Sequence, residues 1–488
     1  MKTVNFAAVD LGAESGRVMR VGFDGARFEL EAAHRFPNGP VRVGETLHWD
    51  APKLLAEIKK GLRLCAQKAP LAGIGVDTWG VDFGLLGARD ELLENPVHYR
   101  DRRTDGMMDE AFRIVPRREV FERTGIQFMQ LNTLYQVLSL ARQRPEFLAQ
   151  ARTLLTMPDL LNFWLTGRKV GEFTIATTTQ MYDPRAGDWA RPMLEQLRLP
   201  TGILPPIVKP GTVLGPLLDS VAAETGIRGA PVIAPACHDT GSAVAAAPLF
   251  SPHSAYISSG TWSLAGVEVA APVITPVTYA GGFTNEGGAN GTVRLLRNIG
   301  GLWLLQECRR TWTDEGNVYS YDDLTRLAAA APEFAAFVDP DAPEFGPPGD
   351  MPARLRHYCD RTNQPPPDSH AALARCILES LALRYRMTIE NLEAALGWKV
   401  DRIHIIGGGS QNTLLCQMTA DATGLPVLAG PVEATALGNA LIQALATGHL
   451  ASIAEGREAV KRSFSLIPYD PHPSEAWQSA YQRFRRML

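Results

Sequence analysis

The chain has 488 residues, of which 45% are hydrophobic and 20% charged, and this exceeds what one hydrophobic core usually contains, so at least two domains are expected. The formal net charge is −4 and the Lys and Arg residues are scattered, which disfavours binding to nucleic acid or to an anionic membrane. No signal-peptide pattern and no apolar run of membrane-spanning length occurs, so we expect a soluble, cytoplasmic protein that acts on small molecules.

The first part of the chain predicts an α/β unit. The segments FAAVDLG, RVMRVGFD and RFELEAAHRF predict three antiparallel strands, with a turn at Asp24-Gly25 between the second and the third. An amphipathic helix is predicted from about Pro52 to Lys68. The apolar segment GIGVDTWGVDFGLL then predicts a further strand, which Gly80 interrupts.

A similar order of elements restarts near residue 255. Helical stretches at about 131–165 and the Pro/Gly-rich connector LPPIVKPGTVLGP come before it. The segments AYISSG and WSLAGVEV predict strands around a turn at Thr261, and VRLLRNIGGLWLLQECRR predicts a strand followed by a helix. We interpret the chain as two related halves, an N-terminal domain of residues 1–243 and a C-terminal domain of residues 244–488.

Asp239 is the candidate catalytic carboxylate. It follows the apolar run PVIAPAC and precedes small, helix-compatible residues from Ser242 to Ala247, which places it at a predicted helix N-terminus. The partial positive charge there favours the ionised form, so Asp239 could accept a proton from a substrate hydroxyl. Aspartate is also a preferred N-cap residue, and this segment alone favours capping.

Three glycine-containing turns favour the catalytic interpretation. In DLGAESGR, Ser15 and the backbone amides could donate to phosphate, Arg17 could add positive charge, and Asp10 would suit Mg²⁺ held through water. SSGTWS predicts a second hairpin of this type, and GGGSQN joins a buried strand to a helix with Ser410 as its cap. Each turn alone could be ordinary, but together they favour a nucleotide cleft between the two halves.

Several other enzyme classes lose support. The triplets DFG at 82–84 and YRD at 99–101 stand in the reverse of their protein-kinase order, and no VAIK strand precedes them. The P-loop, the Rossmann GxGxxG, HExxH and GxSxG patterns do not occur. The six cysteines contain no CxxC pair; Cys359 and Cys376 could be bridged if oxidised, but a reducing compartment favours free thiols.

The segments DLGAESGR, DTWGVDF, YRDRRT, CHDT, SSGTWS, FTNEGG, NIGGLW and GGGSQN, in this order and at these spacings, resemble the FGGY family of carbohydrate kinases from Asp10 to about Asn439. The resemblance implies an α/β fold of two ribonuclease-H-like, actin-type ATPase domains with ATP and sugar in the cleft between them. It also implies Mg²⁺-dependent transfer of the γ-phosphoryl group of ATP to O1 of the ketose L-rhamnulose. A monomer is expected, with a homodimer as the alternative.

The resemblance also implies roles for individual residues. Asp239 matches the catalytic base of the family. The sugar site is expected to contain Trp79, Gly80, Asp82, His238, Thr240 and Asn298. The ATP site is expected to contain Ala13, Glu14, Ser15, Gly16, Arg17, Thr261, Gln306 and Gly408.

Two positions differ from the usual family pattern. Where other sugar kinases of the family usually have glycine, this chain has His238, and its imidazole could hydrogen-bond a sugar hydroxyl. Glu14 introduces a negative charge into the first loop, so we expect its side chain to point away from the phosphates. Phosphorylation of another ketose or polyol (L-fuculose, D-xylulose or glycerol) and a non-metabolic actin-like ATPase remain as alternatives.

Overall fold

The computed structural model describes residues 3–472 and 474–488, and the chain forms two compact units. The first unit contains residues 1–248, 268–295 and 434–463, and the second contains 249–267, 296–433 and 464–488. Each unit is therefore assembled from segments that are distant in the sequence. The predicted boundary between residues 243 and 244 stays a prediction.

A six-stranded mixed sheet forms the centre of the first unit. Its order is Val213–Pro216, Pro231–Ile233, Leu71–Thr78, Val4–Leu11, Ser15–Phe23 and Phe28–Pro37. The last three strands form the predicted antiparallel meander, and Val4–Leu11 pairs in parallel with Leu71–Thr78. Strand Val4–Leu11 is buried along almost its whole length, which explains why its sequence is nearly all apolar.

The remaining strands of the first unit are short. They are Val41–Val43, Thr46–His48, Phe83–Leu86, Thr153–Thr156, Gly171–Glu172, Tyr182–Asp183, Asp188–Trp189, Ile207–Val208 and Thr284–Gly287. Its α-helices are Ala51–Lys68, Met107–Ile114, Arg117–Thr124, Thr133–Gln143, Pro145–Leu148, Met157–Thr166, Phe173–Ala176, Arg191–Gln196, Asp219–Thr225, Asp239–Ala246, Pro276–Ala280, Ala434–Ala446 and Ile453–Ser463. Two 3₁₀ turns cover Arg102–Thr104 and Thr177–Thr179.

The first-unit core lies between the sheet and helix Ala51–Lys68. The helix buries Leu54, Ile58 and Leu62 on one face, against strand residues such as Val9 and Val76. Asp50 caps its N-terminus by accepting a hydrogen bond from the backbone N–H of Lys53. The predicted helix from about Pro52 to Lys68 is confirmed.

The second sheet has seven strands and is centred in the second unit. Its order is Thr284–Gly287, Val293–Gly300, Trp262–Val269, Ser254–Ser259, Arg402–Ile406, Val427–Ala429 and Ile467–Tyr469. The helices of this unit are Trp303–Asp314, Tyr321–Ala330, Met351–Arg361, His370–Leu396, Thr413–Thr423 and Glu475–Met487, with 3₁₀ turns at Pro343–Phe345 and Gly408–Gln411.

The two sheets share a strand order. In the first sheet, strand Val4–Leu11 pairs antiparallel with the strand that follows it in the chain, and parallel with a strand that follows a helix. In the second sheet, strand Ser254–Ser259 has the same two kinds of neighbour. In both sheets a further parallel strand lies beyond the parallel neighbour, Pro231–Ile233 or Val427–Ala429. The shared order accords with the interpretation of the chain as two related halves.

The structure corrects one predicted cap and reports on the cysteines. Ser410 is not the cap of helix Thr413–Thr423, because the Asn412 side chain accepts the hydrogen bond from the backbone N–H of Leu415. Cys359 and Cys376 are free thiols, and both are buried. Among the described residues, no helix has the length and apolar character needed to cross a membrane.

Candidate active site

Three carboxylates collect at one edge of the first sheet. The parallel register places Asp10 opposite Asp77, and Leu11 opposite Thr78, at the carboxyl ends of their strands. A single bridge continues from Thr78 to His238, the residue before Asp239. Asp10, Asp77 and Asp239 therefore lie on three neighbouring segments at the edge where α/β sheets bind ligands.

Asp239 is the accessible member of this group. It is the first residue of helix Asp239–Ala246, whose N-cap is His238, so Asp239 itself is not the N-cap residue. The predicted position of Asp239 at a helix N-terminus is confirmed. Its Oδ1 accepts hydrogen bonds from the backbone N–H and the hydroxyl of Thr240. The side chain is 27% exposed, whereas Asp10 and Asp77 are almost completely buried.

Asp77 is held by a helix near the end of the chain. Asn439 Nδ2 donates to Asp77 Oδ2 at 2.5 Å, and Gln443 Nε2 donates to Asn439 Oδ1 at 2.7 Å. Burial raises the pKa of Asp77 well above its usual range, and the charges of Asp10 and Asp239 raise it further, while the Asn439 hydrogen bond opposes the shift. Asp77 therefore favours its uncharged form more than an exposed aspartate does.

Asp10 is paired with Arg17 across the first hairpin. Arg17 Nε lies 2.8 Å and Nη2 2.6 Å from Asp10 Oδ2. We predicted Arg17 as a phosphate contact, and the structure shows its guanidinium against this carboxylate. Among the described residues, no group of three or more His, Cys, Asp or Glu side chains is arranged to hold a metal ion, and Mg²⁺ binding at Asp10 stays a prediction.

The rest of the first loop is arranged around a tightly packed glycine. Ala13 and Glu14 are half-buried in the turn, and the exposed Ser15 begins the following strand. A Cβ on Gly16 would overlap the ring of Phe36, so packing explains this glycine without a ligand. The direction of the Glu14 side chain stays a prediction.

Asp82 accepts hydrogen bonds from several groups of the TWGVD segment and its surroundings. Its Oδ2 accepts from the indole N–H groups of Trp49 and Trp79, at 2.6 and 3.0 Å, and from the backbone N–H of Tyr99. Its Oδ1 accepts from Gln136 Nε2 at 3.0 Å. Burial raises the pKa of Asp82 to about 6, and these donors oppose the shift. Asp82 is 1% exposed, so its buried carboxylate holds the indole groups of Trp49 and Trp79 together.

The backbone between Gly80 and Asp82 is strained. Val81 has a φ of +69°, which is rare for a β-branched residue, and the N–H of Asp82 donates to the carbonyl of Gly80. Thr133 donates to the Val81 carbonyl at 2.5 Å, and the Val81 N–H donates to Thr178 Oγ1 at 3.3 Å. These bonds hold a turn that brings Trp79 and Asp82 together.

His238 contacts charged groups on both of its ring nitrogens. Its Nε2 lies 3.5 Å from Asp239 Oδ1, and its Nδ1 lies 3.2 Å from Glu286 Oε2 and 3.1 Å from Arg294 Nη2. Arg294 Nη2 is also 3.1 Å from Glu286 Oε2. His238, Glu286 and Arg294 therefore form a buried polar cluster next to Asp239.

A cavity in the second unit is lined by two of the predicted nucleotide residues, Gln306 and Gly408. It has a volume of about 430 Å³ and is lined by Gly260, Leu302, Leu305, Gln306, Ser320, Tyr321, Asp322, Thr325, Gly408, Gly409, Gln411 and Asn412. Helix Trp303–Asp314 starts against the second hairpin, because Leu302 N–H donates to Gly260 O and Trp303 N–H to Thr261 O. Among the described residues, Gln306 Oε1 is buried without a hydrogen-bond partner, so a donor on a ligand would satisfy it.

The three consecutive glycines have different surroundings. Gly407 has a φ of +83°, and its Cβ would lie 3.0 Å from the carbonyl oxygen of Ser259. A Cβ on Gly409 would overlap the Ser259 hydroxyl, whereas nothing lies within 4 Å of one on Gly408. Close packing therefore explains Gly407 and Gly409, and Gly408 borders open space. Asn298, the last predicted sugar contact, is half-buried on strand Val293–Gly300 of the second unit.

Sequence reasoning missed four residues of this site. They are Asp77, Glu286, Arg294 and Asn439. A usable signal was present, because each is a polar residue inside an otherwise apolar or glycine-rich segment. Asn439 and Gln443 also have the i, i+4 spacing that puts them on one face of their helix.

Comparison with known proteins identifies the family. The N-terminal domain model of the FGGY family of carbohydrate kinases matches residues 7–246, and the C-terminal domain model matches residues 255–447. The chain belongs to the FGGY family of carbohydrate kinases. A rhamnulokinase of Bacteroides thetaiotaomicron is 45% identical over 485 residues, which cover 99% of each chain. A rhamnulokinase of Klebsiella pneumoniae is 42% identical and covers 96% of this FGGY chain and 94% of its own.

Solved structures of the family agree in fold. The gluconate kinase of Lactobacillus acidophilus superposes with a TM-score of 0.80 at 18% identity and covers 100% of this chain and 98% of its own. The glycerol kinase of Plasmodium falciparum, solved with ADP, has a TM-score of 0.78 at 15% identity, with 99% and 98% covered. The predicted fold class, an α/β protein with two actin-type ATPase domains, is confirmed.

Proposed function

We propose that this FGGY kinase transfers the γ-phosphoryl group of ATP to O1 of L-rhamnulose, giving L-rhamnulose 1-phosphate and ADP. The choice of sugar rests on the two rhamnulokinases, which are similar along nearly the whole chain. The reaction rests on one observation: of three carboxylates at the sheet edge, Asp239 is the one that is substantially exposed.

Asp239 acts as the general base. As O1 of the ketose attacks the γ-phosphorus, its proton passes to a carboxylate oxygen of Asp239, the bond from phosphorus to the bridging oxygen breaks, and ADP leaves. Phosphoryl transfer requires positioning and charge stabilisation more than covalent chemistry. The hydrogen bonds from Thr240 to Oδ1 restrict the carboxylate, and they leave Oδ2 to face the O1 hydroxyl.

Trp79, Gly80, Thr240 and His238 form the sugar side of the site. Asp82 supports it from inside by holding the indoles of Trp49 and Trp79. A site that hydrogen-bonds hydroxyl groups rejects a sugar with a misplaced hydroxyl more strongly than a site that only contacts a methyl group. Hydroxyl stereochemistry is therefore expected to decide substrate choice, and Asn298 remains a proposed contact.

The cavity lined by Gln306 and Gly408 binds ATP, with Thr261 beside it. The first loop, residues 13–17, supplies the second set of phosphate contacts through Ser15 and backbone N–H groups, while the Glu14 side chain points away from the phosphates and Arg17 pairs with Asp10. Asp10 would hold Mg²⁺ through water, and the ion would neutralise charge on the phosphates.

The proposal is tested by measuring ADP release with a panel of L-rhamnulose, L-fuculose, D-xylulose and glycerol. L-Rhamnulose is expected to give the highest kcat/KM. A higher kcat/KM with another acceptor would assign a different sugar kinase activity, and ADP release that no acceptor stimulates would indicate an actin-like ATPase instead.

The base is tested by Asp239→Asn, which keeps the shape of the side chain and removes proton acceptance. Turnover is expected to fall by about 10²- to 10⁴-fold, with ATP affinity nearly unchanged. The matched control is Asp219→Asn, since Asp219 is also the first residue of a first-unit helix but is exposed and outside the site. Near-normal turnover of Asp239→Asn would show that this carboxylate only stabilises its helix.

A further inference from the structure

The His238 imidazole lies between the proposed base and a buried ion pair. Its Nε2 faces Asp239, and its Nδ1 lies within 3.2 Å of both Glu286 and Arg294. The proposed reaction uses Asp239 directly and gives no role to Glu286 or Arg294. Both residues are removed from water, with Arg294 0% and Glu286 4% exposed.

Several hydrogen bonds fix the ion pair in place. Arg294 Nε donates to the carbonyl of Gly287 at 2.9 Å, and the N–H of Gly287 donates to Thr177 Oγ1 at 2.8 Å. Gly287 packs directly against Phe173, because a Cβ on it would lie 2.5–2.9 Å from the ring. These contacts hold the guanidinium next to His238.

The identity of the donor decides where the imidazole proton lies. The guanidinium of arginine has donors only, and the N–H of Arg294 Nη2 is directed at His238 Nδ1 across 3.1 Å. Nδ1 also lies 3.2 Å from Glu286 Oε2, so it either accepts from Arg294 or donates to Glu286. The bond from Arg294 requires Nδ1 to accept, and a neutral imidazole that accepts there carries its proton on Nε2. Glu286 lies against both Arg294 and the ring, and its charge balances that of the buried guanidinium.

We propose that the Arg294–Glu286 pair is a positioning device that fixes the His238 proton on Nε2, so that the sugar site presents a hydrogen-bond donor beside Asp239. This inference rests on the proposed function. A glycine at position 238 would offer only backbone, whereas the fixed Nε2–H reads an oxygen of the ketose. The pair thereby contributes to substrate recognition by orienting His238, without contacting the sugar itself.

Imidazole ¹⁵N NMR of the wild-type protein tests the proton position without any variant of the pair. His238 is one of ten histidines, and its signals are assigned by their loss in His238→Gln. We expect a pyridine-like ¹⁵N shift for Nδ1 and a pyrrole-like shift for Nε2. A pyrrole-like Nδ1 would show that Glu286 accepts from the ring, and it would overturn the proposal.

Kinetics test whether the pair acts through His238. The double variant Glu286→Leu/Arg294→Met removes both charges while keeping similar volume. We expect kcat/KM for L-rhamnulose to fall by at least about tenfold, and KM for ATP to stay within about twofold. In the His238→Gln background the same double change should alter kcat/KM by less than about twofold, because the residue it positions is gone.

The matched control is a second buried pair of the same kind. Arg375 Nε lies 2.6 Å from Glu379 Oε1, and both residues are buried in the second unit. Glu379→Leu/Arg375→Met is expected to change kcat/KM by equal factors with and without His238. Equal factors for the Glu286/Arg294 change would mean that this pair is only structural, and the proposal would fail.

The failure of each proposal is distinguishable. If another ketose proves to be the substrate, the kinetic cycle is run with that ketose, and the wild-type NMR result is unaffected. Should the double variant not fold, the NMR measurement alone decides, because it uses the unmodified protein.

Discussion

The helix that carries Asp239 is held against helix Ala434–Ala446 at a single very close crossing. A Cβ on Gly438 would overlap the carbonyl oxygen of Ser242 and lie 2.6 Å from its carbonyl carbon. Ordinary contact begins at 3.4 Å, so the carbon alone would have to move by about 0.8 Å. Both obstructing atoms belong to backbone, and the strain cannot be relieved by a side-chain rotation.

We predict that Gly438→Ala moves the two helices apart and displaces Asp239. Overpacking of a filled core typically costs 1–3 kcal/mol, so we expect a loss of about 2 kcal/mol of unfolding free energy, although alanine is the better helix former. Ser242 is three residues after Asp239 in the same helix. A displacement near 1 Å at the base is expected to lower kcat by up to about 10²-fold.

The assay combines urea unfolding with ADP release, and a second helical glycine provides the control. Gly456 lies in helix Ile453–Ser463, where the three atoms nearest to a Cβ all belong to the side chain of Leu441. Gly456→Ala is therefore expected to lower stability by about 1–3 kcal/mol through repacking of Leu441, but to leave kcat unchanged, because no backbone of the Asp239 helix obstructs it. Wild-type kcat and unfolding free energy for Gly438→Ala would refute the argument that this crossing positions Asp239.

Three further predictions concern single positions. Val81→Gly should be more stable than Val81→Ala by about 1 kcal/mol in urea unfolding, because glycine adopts a φ of +69° without strain. At Val76, which lies in a regular strand, the alanine variant should be the more stable of the two, and the same order at both positions would contradict the strained turn. Gly408→Val places a side chain in the open space beside the cavity. It should raise KM for ATP at least about tenfold, while KM for the ketose stays within about twofold. An unchanged KM for ATP would show that Gly408 does not belong to the nucleotide site. Burial raises the pKa of Asp82 from 3.8 to about 6, so the folded protein binds this proton more tightly than the unfolded chain does. As pH rises from about 4 to 6, the wild type should therefore lose about 3 kcal/mol of unfolding free energy relative to Asp82→Asn. A difference that does not change with pH would contradict this prediction.

Local patterns predicted the strands and helices well. The three strands of the first meander and helix Ala51–Lys68 follow from alternation, turn residues and amphipathic spacing, which are all local properties. The position of Asp239 at a helix N-terminus also follows from local pattern, because an apolar run precedes it and small residues follow it. The sequence predicts Ser410 as a cap, but Asn412 caps the helix, and both residue types cap helices well.

Long-range partners were beyond the reach of local patterns. Asp77 and Asn439 are separated by 362 positions, and His238 and Arg294 by 56, so neither pair leaves a periodic signal. The assignment of segments 268–295 and 434–463 to the first unit is of the same kind. A polar residue in an apolar segment of the sequence indicates that it has a buried hydrogen-bond partner, but only the three-dimensional structure shows which residue that partner is.

The electrostatics of the sheet edge favour Asp239, among three neighbouring carboxylates, as the proposed base. Arg17 occupies Asp10 with two short contacts. Burial raises the pKa of Asp77 well above its usual range, so a negative charge on this group is disfavoured. Three free carboxylates at this spacing would repel one another and the phosphates of ATP. Because two of them are compensated, the exposed one at the helix N-terminus can take the proton of the sugar hydroxyl.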